Sequence, residues 1–321
     1  MAYAIGLALV AFGLGAAFGP IWLRFLRAHG LGKQVNPSEP EENKLKEGTP
    51  TMGGVVFLAP VLAVTLAFQV LVGRHLIMLV PLALAAGLAA LGALDDVQTL
   101  TGRRRSAGLP PAVKWGAQLG LCLAVSGALA WNGLTQVHVP FVGPAAFPVW
   151  AYVPFATFVL IGTINAVAIT DGLDSLAATT AGIAFVAFWV VGTVLGYPLS
   201  AALCATVVGA LLAYLWFNAH PAQMFMGDTG SLALGGLLGT VALLQREPFL
   251  LIPIGIIFVA NAAADIVQVL SVKLRGTRLF RIAPLHNHFQ RVGWAETWIV
   301  QRFWIVGAVG ALAGILLAVR A

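Results

Sequence analysis

The stretch from Asn218 to Ser231 reads Asn-Ala-His-Pro-Ala-Gln-Met-Phe-Met-Gly-Asp-Thr-Gly-Ser and joins two long apolar runs, 199–217 and 230–245. Its single acid, Asp228, stands among glycines, which leave backbone amides open to an approaching anion. An acid in such a place can hold a metal ion that bridges to phosphate. A glycine-rich turn between two membrane helices is the alternative interpretation, and the rest of the chain decides between the two.

The composition is that of an integral membrane protein. Of the 321 residues, 60% are hydrophobic and only 9% are charged, and the mean hydropathy is +0.92. Soluble domains typically carry about 25% charged residues. One globular core cannot hide so much apolar surface, so the helices must be solvated by lipid. Both cysteines lie in apolar runs without metal-type spacing and are interpreted as apolar fillers.

Windows of about 20 apolar residues predict an all-α membrane protein with about ten transmembrane helices in one polytopic domain, 1–321. The first run has no charge before it, so we expect a membrane helix there and not a cleaved signal peptide. The eighth window is the shortest and the one we expect to tilt or to be partly irregular. The windows are 2–25, 51–72, 76–94, 112–131, 149–168, 176–196, 199–217, 230–245, 249–272 and 301–319.

The basic residues predict which loops are cytoplasmic. Fifteen of the 18 lysines and arginines follow spans 1, 3 and 9 or lie at the ends of the adjoining helices, and only Arg74, Arg246 and Arg320 lie on the other face. Since cytoplasmic loops are enriched in Lys and Arg, both termini are predicted outside. The same topology places five acids at the cytoplasmic face, where they would suit a metal and a polyanionic substrate: Asp95, Asp96, Asp171, Asp174 and Asp228.

Two other acidic segments are candidates for chemistry. Asp95 and Asp96 close the third span, and their mutual repulsion favours a proton on one of them or a nearby cation. They could act as base or metal ligand, or form a solvated helix end. Asp171 and Asp174 flank a glycine that predicts a break in the helix, and broken membrane helices often line sites. Asn165, polar within a span, requires a partner.

Cations and histidines accompany these acids. Lys46 could meet a substrate anion, although a solvated interfacial lysine is the simpler interpretation. Lys114 could bind phosphate or extend its ammonium to the headgroups. The run 103–105 of three arginines is interpreted as an orientation anchor that also attracts anionic headgroups. His286 and His288 could ligate metal when neutral, or bind phosphate or donate a proton when charged. The block 48–54 before the second span could be a helix cap and packing face or a substrate contact.

Five sequence blocks in this order resemble the polyprenyl-phosphate N-acetylhexosamine-1-phosphate transferase superfamily and, within it, the phospho-N-acetylmuramoyl-pentapeptide-transferase family. They are Gly-Thr-Pro-Thr-Met-Gly-Gly (48–54), Asp-Asp (95–96), Asn-Ala-x-x-x-Thr-Asp-Gly-Leu-Asp (165–174), Phe-Asn-Ala-His-Pro-Ala-Gln-x-Phe-Met-Gly-Asp-x-Gly-Ser-Leu-Ala-Leu-Gly-Gly (217–236) and Ala-Pro-Leu-His-x-His-Phe (283–289). The first and last favour this family over relatives that transfer GlcNAc-1-phosphate.

The resemblance implies an Mg²⁺-dependent transfer of phospho-MurNAc-pentapeptide from UDP-MurNAc-pentapeptide to undecaprenyl phosphate, giving lipid I and UMP. The setting would be the bacterial cytoplasmic membrane, a homodimer is compatible with it, and no nucleic-acid partner is expected. By the same resemblance Asp228 holds the metal, Asp95 or Asp96 activates the lipid phosphate, and a further set contacts substrate. Lys114, Asn165, Asp171 and His288 would surround the pyrophosphate, Asp174, Asn218 and Phe225 would face the uridine, and Lys46, Ser231, Gln268 and His286 would complete the site.

Three positions depart from the family pattern. Asn287 stands where the family usually has a third histidine, Ala168 where it often has asparagine, and Thr99 where it often has lysine. These departures keep two alternatives open, a transferase for UDP-GlcNAc and a non-catalytic lipid-binding homologue. A transporter is disfavoured because the acids gather at one face and not at the midplane. Direct attack by the lipid phosphate is favoured over an aspartyl intermediate, since the acceptor is already anionic.

Overall fold

The structure, a computed structural model, describes residues 2–32, 46–72, 75–101 and 108–320. The arginines 103–105 interpreted as an anchor lie outside these ranges. The described chain is almost entirely helical. Its helices are α1 (Ala2–Ala28), α2 (Val55–Leu71), α3 (Leu79–Thr101), α4 (Pro111–Trp131), α5 (Val149–Thr170), α6 (Leu176–Val194), α7 (Pro198–Asn218), α8 (Gly227–Leu244), α9 (Ile256–Arg275), α10 (Leu285–Val292) and α11 (Glu296–Arg320).

Ten of these helices match the ten predicted spans. In the described ranges, nine of them are long and apolar enough to cross a membrane, if α3 is counted together with the 3-10 turn Leu76–Met78 that precedes it. The tenth, α2, is a shorter apolar helix. The predicted all-α multi-pass membrane protein is therefore confirmed. Which face of the membrane each end of the bundle meets stays a prediction. Both cysteines are free and buried, as expected for apolar fillers.

Helix α8 is the centre of the bundle. Every residue from Thr229 to Leu244 is buried, and the helix packs against α3 and α5. Glycines permit this close approach, because a Cβ on Gly235 would lie 2.6 Å from the Cα of Ile164. The irregularity expected in this span lies instead before α9, where the 3-10 turn Pro248–Leu250 and the short helix Leu251–Ile254 interrupt the ninth window.

Sequence reasoning missed a small hairpin at the end of the bundle opposite the acids. Strands β1 (Gln136–Val139) and β2 (Gly143–Ala146) pair antiparallel, with His138 opposite Pro144. The backbone N–H of His138 donates to the carbonyl of Arg246 at 2.8 Å, and its ring lies 3.2 Å from Glu247. These contacts anchor the hairpin to the turn after α8.

Candidate functional site

A cavity of about 180 Å³ opens at the end of the bundle that carries the acids, here called the acid end. Four of the five predicted carboxylates line it from three separate parts of the chain, together with Lys46 and Phe225. This confirms that the acids gather in one place. The lining residues are Lys46, Thr51, Asp96, Ala168, Asp171, Gly172, Leu173, Asp174, Asn218, Phe225, Gly227 and Asp228.

The fifth acid, Asp95, joins the cavity through Lys114. The Lys114 ammonium contacts Oδ2 of Asp228 and lies 3.2 Å from Oδ2 of Asp95. The other Asp95 oxygen accepts a hydrogen bond from the N–H of Leu109 at 2.8 Å. The ammonium is therefore held between two acids, so the alternative in which Lys114 extends to the headgroups is wrong. The cation expected beside the acid pair is this lysine.

Asp96 plays a different part from its neighbour, because it caps helix α8. Its Oδ1 accepts the N–H of Asp228 at 3.1 Å, and its Oδ2 accepts the N–H of Thr229 at 3.0 Å and the Thr229 hydroxyl at 2.7 Å. A carboxylate at a helix N-terminus accepts hydrogen bonds from the free backbone amides and interacts favourably with the helix dipole. Gly227 must be glycine here, since its φ is +72° and a Cβ would lie 2.5 Å from Asp96. The cap therefore fixes the direction in which the Asp228 side chain points from the first turn of α8.

The block 48–54 packs against the loop that precedes α8. The N–H of Phe225 donates to the carbonyl of Pro50 at 2.7 Å, and the N–H of Gly53 donates to the carbonyl of Phe225 at 2.7 Å. A Cβ on Gly53 would meet that carbonyl oxygen at 2.7 Å. The packing interpretation of this block therefore holds, and its consequence is functional: it places the Phe225 ring beside the cavity.

A second cavity of about 380 Å³ adjoins the first and shares Lys46, Asp174 and Phe225 with it. The Lys46 ammonium lies 2.7 Å from Asp174 and 2.6 Å from Glu296, and the side chain is only 14% exposed. The solvated interfacial lysine expected for this position is therefore wrong. Glu296, the first residue of α11, was not among the predicted site residues. No local pattern marks it, because its partners lie far away in the sequence.

Asp174, like Asp96, has both of its carboxylate oxygens engaged. One oxygen accepts from Lys46, and the other lies 2.9 Å from Nδ1 of His220 and accepts the N–H of Ala222 at 3.2 Å. Burial raises the pKa of this carboxyl, but the hydrogen bond and charge of Lys46, together with the bonds from Ala222 and His220, lower the pKa overall, so Asp174 is an anion at neutral pH. His220 was also missed by sequence reasoning.

Three side chains around the second cavity are close enough together to bind a metal ion. Within the described ranges, ligand atoms of Asp174, His220 and Glu296 lie within 4.8 Å of one another. The ammonium of Lys46 already bridges the two carboxylates and balances one of their two negative charges without an ion. The oxygen ligands around Asp228 face the first cavity, where a phosphate can approach.

The predicted asparagines tie segments of the site together. Asn218 accepts the N–H of Ser175 at 2.9 Å and donates to the carbonyl of Met224 at 2.9 Å, so its amide joins the turn after α5 to the loop before α8. Asn165 donates to Oε1 of Gln118 at 3.2 Å, which is the partner that a polar residue in a span required. Ser231 is buried in α8 and lies outside the lining of both cavities.

His286, His288 and Gln268 do not line either cavity. Nδ1 of His288 accepts the N–H of Arg281 at 3.2 Å, and Gln268 accepts the N–H of Phe280 at 2.9 Å. Both side chains therefore hold the loop between α9 and α10. His286 is buried with Nδ1 at 3.3 Å from Asn261, and burial lowers its pKa to about 4, so this imidazole is neutral at pH 7.

Two of the departures from the family pattern have a visible consequence. Ala168 lines the first cavity and brings no polar atom to it. The hydroxyl of Thr99 donates to the backbone carbonyl of Asp95 at 2.8 Å, so it faces its own helix. Among the described residues, Lys114 is the cation that contacts Asp228.

This fold and site define a class: multi-pass membrane enzymes that carry acids and a lysine at one end of a helical bundle and act on phosphate-linked substrates. Comparisons with known proteins agree. The model of glycosyl transferase family 4 matches residues 78–246, and the first signature of phospho-N-acetylmuramoyl-pentapeptide-transferases matches residues 46–58.

Curated relatives match over nearly the whole chain. Phospho-N-acetylmuramoyl-pentapeptide-transferase of Chloroflexus aurantiacus is 43% identical over 99% of this chain and 90% of its own length. The proteins of the same name from Geobacillus thermodenitrificans and Bacillus cytotoxicus are 40% and 38% identical over 97% of this chain and 96% of their own length. The chain belongs to the phospho-N-acetylmuramoyl-pentapeptide-transferase family.

Proposed function

We propose that this protein transfers phospho-MurNAc-pentapeptide from UDP-MurNAc-pentapeptide to undecaprenyl phosphate, forming lipid I and releasing UMP. The observation that carries the proposal is the group formed by Asp228, Lys114 and Asp95 at the edge of a cavity lined by three further carboxylates. Family membership supplies the identity of the two substrates. The reaction belongs to peptidoglycan precursor synthesis, and the bacterial cytoplasmic membrane is the proposed location.

The two cavities suit the two parts of the nucleotide donor. The larger cavity offers the Phe225 ring for stacking on the base, and buried Asp174 and Lys46 offer hydrogen-bond partners. The smaller cavity takes the pyrophosphate, since Asp228 and Lys114 meet at its edge. Because Phe225 and Asp174 line both, a bound donor passes from one into the other.

A divalent cation fits the smaller cavity. Asp96, Asp171 and Asp228 supply only oxygen atoms, which are the ligands that Mg²⁺ prefers, and the cavity leaves room for phosphate oxygens and water. Asp228 is the proposed ligand, because it lines this cavity while both Asp96 oxygens are engaged in the cap. When bound, Mg²⁺ would supply positive charge that offsets the negative charge of the pyrophosphate during transfer.

The arrangement favours direct attack. An oxygen of the lipid phosphate forms a bond to the phosphorus that carries the sugar, and the bond from that phosphorus to the UMP oxygen breaks. The acceptor is anionic at neutral pH and needs no base, which agrees with an Asp95 held by Lys114 and Leu109 and an Asp96 held by α8. Lys114 balances charge beside Asp228 as UMP leaves, and such positioned charge is the main source of catalysis in phosphoryl transfer.

The test is UMP release by purified protein supplied with UDP-MurNAc-pentapeptide, undecaprenyl phosphate and Mg²⁺. Asp228→Asn should lower turnover by about 100- to 1,000-fold, the range expected when one group that stabilises the transition-state charge is lost. Asp265→Asn is the matched control, since this acid lies in α9 and lines neither cavity. Equal rates for wild type and Asp228→Asn would overturn the proposal. A rate with UDP-GlcNAc that exceeds the rate with the muramoyl donor would favour the alternative substrate.

A further inference from the structure

The turn that carries Asp171 and Asp174 is held from outside the cavities by a buried chain of polar groups. Asn261 in α9 donates through Nδ2 to the Thr170 hydroxyl oxygen at 3.1 Å. Its Oδ1 lies 3.3 Å from both the backbone N and the ring Nδ1 of His286 in α10. Thr170 and Asn261 are fully buried, and His286 is 1% exposed.

Each hydrogen atom in this chain has a defined place. The Thr170 hydroxyl donates to the carbonyl of Ala166 at 2.8 Å, so its oxygen is free to act only as acceptor toward Asn261. The amide of Asn261 must therefore point its NH₂ at Thr170 and its oxygen at His286. The backbone N–H of His286 agrees with this orientation, because a flipped amide would set two donors against each other. Nδ1 of His286 then carries the proton, and Nε2 is bare.

The bare nitrogen faces the turn. A Cβ added to Gly172 would lie 2.2 Å from Nε2 of His286, so the ring rests directly on the backbone of this glycine. Gly172 stands between Asp171 and Asp174, which line the smaller cavity. Asn261 thus holds the residue just before the turn and, through His286, the glycine inside it.

We infer that Asn261 is a positioning residue, which fixes His286 as the neutral Nδ1–H tautomer. The His286 ring then holds Gly172 in place and so orients Asp171 toward the pyrophosphate. This role rests on the proposed function, and it makes His286 a support of the site instead of a cationic phosphate ligand. Asn261 was not among the sequence-predicted residues, and it touches neither cavity.

The tautomer is measured first. Nitrogen NMR of protein labelled in histidine, with His286→Gln used to assign the signal, should show a protonated Nδ1 and a bare Nε2 at pH 7. Asn261→Leu should abolish that pattern, and Asn261→Asp, which keeps the acceptor, should keep the proton on Nδ1. A proton on Nε2 in the wild type would overturn the inference. This measurement needs no turnover, so it stands apart from any failure of the proposed function.

A double-mutant cycle then tests the contact with Gly172. Gly172→Ala should lower kcat by about 100-fold, since a displacement near 1 Å has such an effect on a positioned group. In a His286→Ala background the atom that the new methyl would meet is gone, so the same change should cost less than about threefold. Equal losses in both backgrounds would overturn the inference, and folding of each variant is checked by its thermal transition. Asn261→Leu should lower kcat with little change in KM for the lipid acceptor.

Discussion

Replacing Glu296 with glutamine should weaken binding of the nucleotide donor while leaving the bundle folded. Oε1 of Glu296 accepts from the Lys46 ammonium and from the N–H of Asp174, both at 2.6 Å. Glutamine keeps the shape and one acceptor but removes the charge. Hydrogen bonds to charged groups contribute about 1.5–3 kcal/mol against about 1 kcal/mol for neutral ones, so the loss should be about 1–2 kcal/mol.

That loss should appear in donor binding, because Lys46 and Asp174 line the larger cavity. A cost of about 1–2 kcal/mol corresponds to a KM for the donor raised about 5- to 30-fold, with kcat nearly unchanged. The assay is UMP release over a series of donor concentrations at saturating lipid phosphate. Glu47→Gln is the matched control, since this acid is exposed in the same loop as Lys46. A donor KM for Glu296→Gln within about twofold of wild type would show that the charge of Glu296 does not support donor binding.

Three further predictions follow from buried contacts. Thr229→Val removes the hydroxyl that donates to Asp96 at 2.7 Å and should cost about 1–2 kcal/mol in thermal unfolding, more than Thr240→Val, whose hydroxyl bonds only within its own helix. His286 has a pKa of about 4 in the folded protein against 6.5 for a free histidine, so protonation favours unfolding. Stability should fall by about 1.5 kcal/mol from pH 6.5 to pH 5, and His286→Gln should remove that part of the slope. Both buried cysteines should resist maleimide until the protein unfolds, and rapid labelling of the folded protein would contradict their burial.

Sequence reasoning predicted much of the fold because the membrane imposes lengths and patterns that can be read locally. Apolar windows gave the helices, and the break at Gly172 was predicted from the glycine between two acids; α5 ends at Thr170 and α6 begins at Leu176. The charge bias predicted that the acids share one end of the bundle. Each of these features depends on composition within a short segment.

What could not be predicted depends on contacts between distant segments. Glu296 meets Lys46 across 250 residues, and the Asn261 amide meets His286 only because α9 and α10 fold back together. Asp95 and Asp96 are neighbours in sequence, yet a turn of about 100° per helical residue points one at Lys114 and the other at the start of α8. His286 and His288 separate for the same reason.

The most direct test of the proposed function is the identity of the lipid product when both sugar nucleotides compete in one reaction. Purified protein in liposomes would receive equal UDP-MurNAc-pentapeptide and UDP-GlcNAc with undecaprenyl phosphate and Mg²⁺, and the lipids would be identified by mass spectrometry. We predict that lipid I is the product and that Asp228→Asn does not form it. A product carrying GlcNAc, or no diphosphate lipid at all from folded protein, would contradict it.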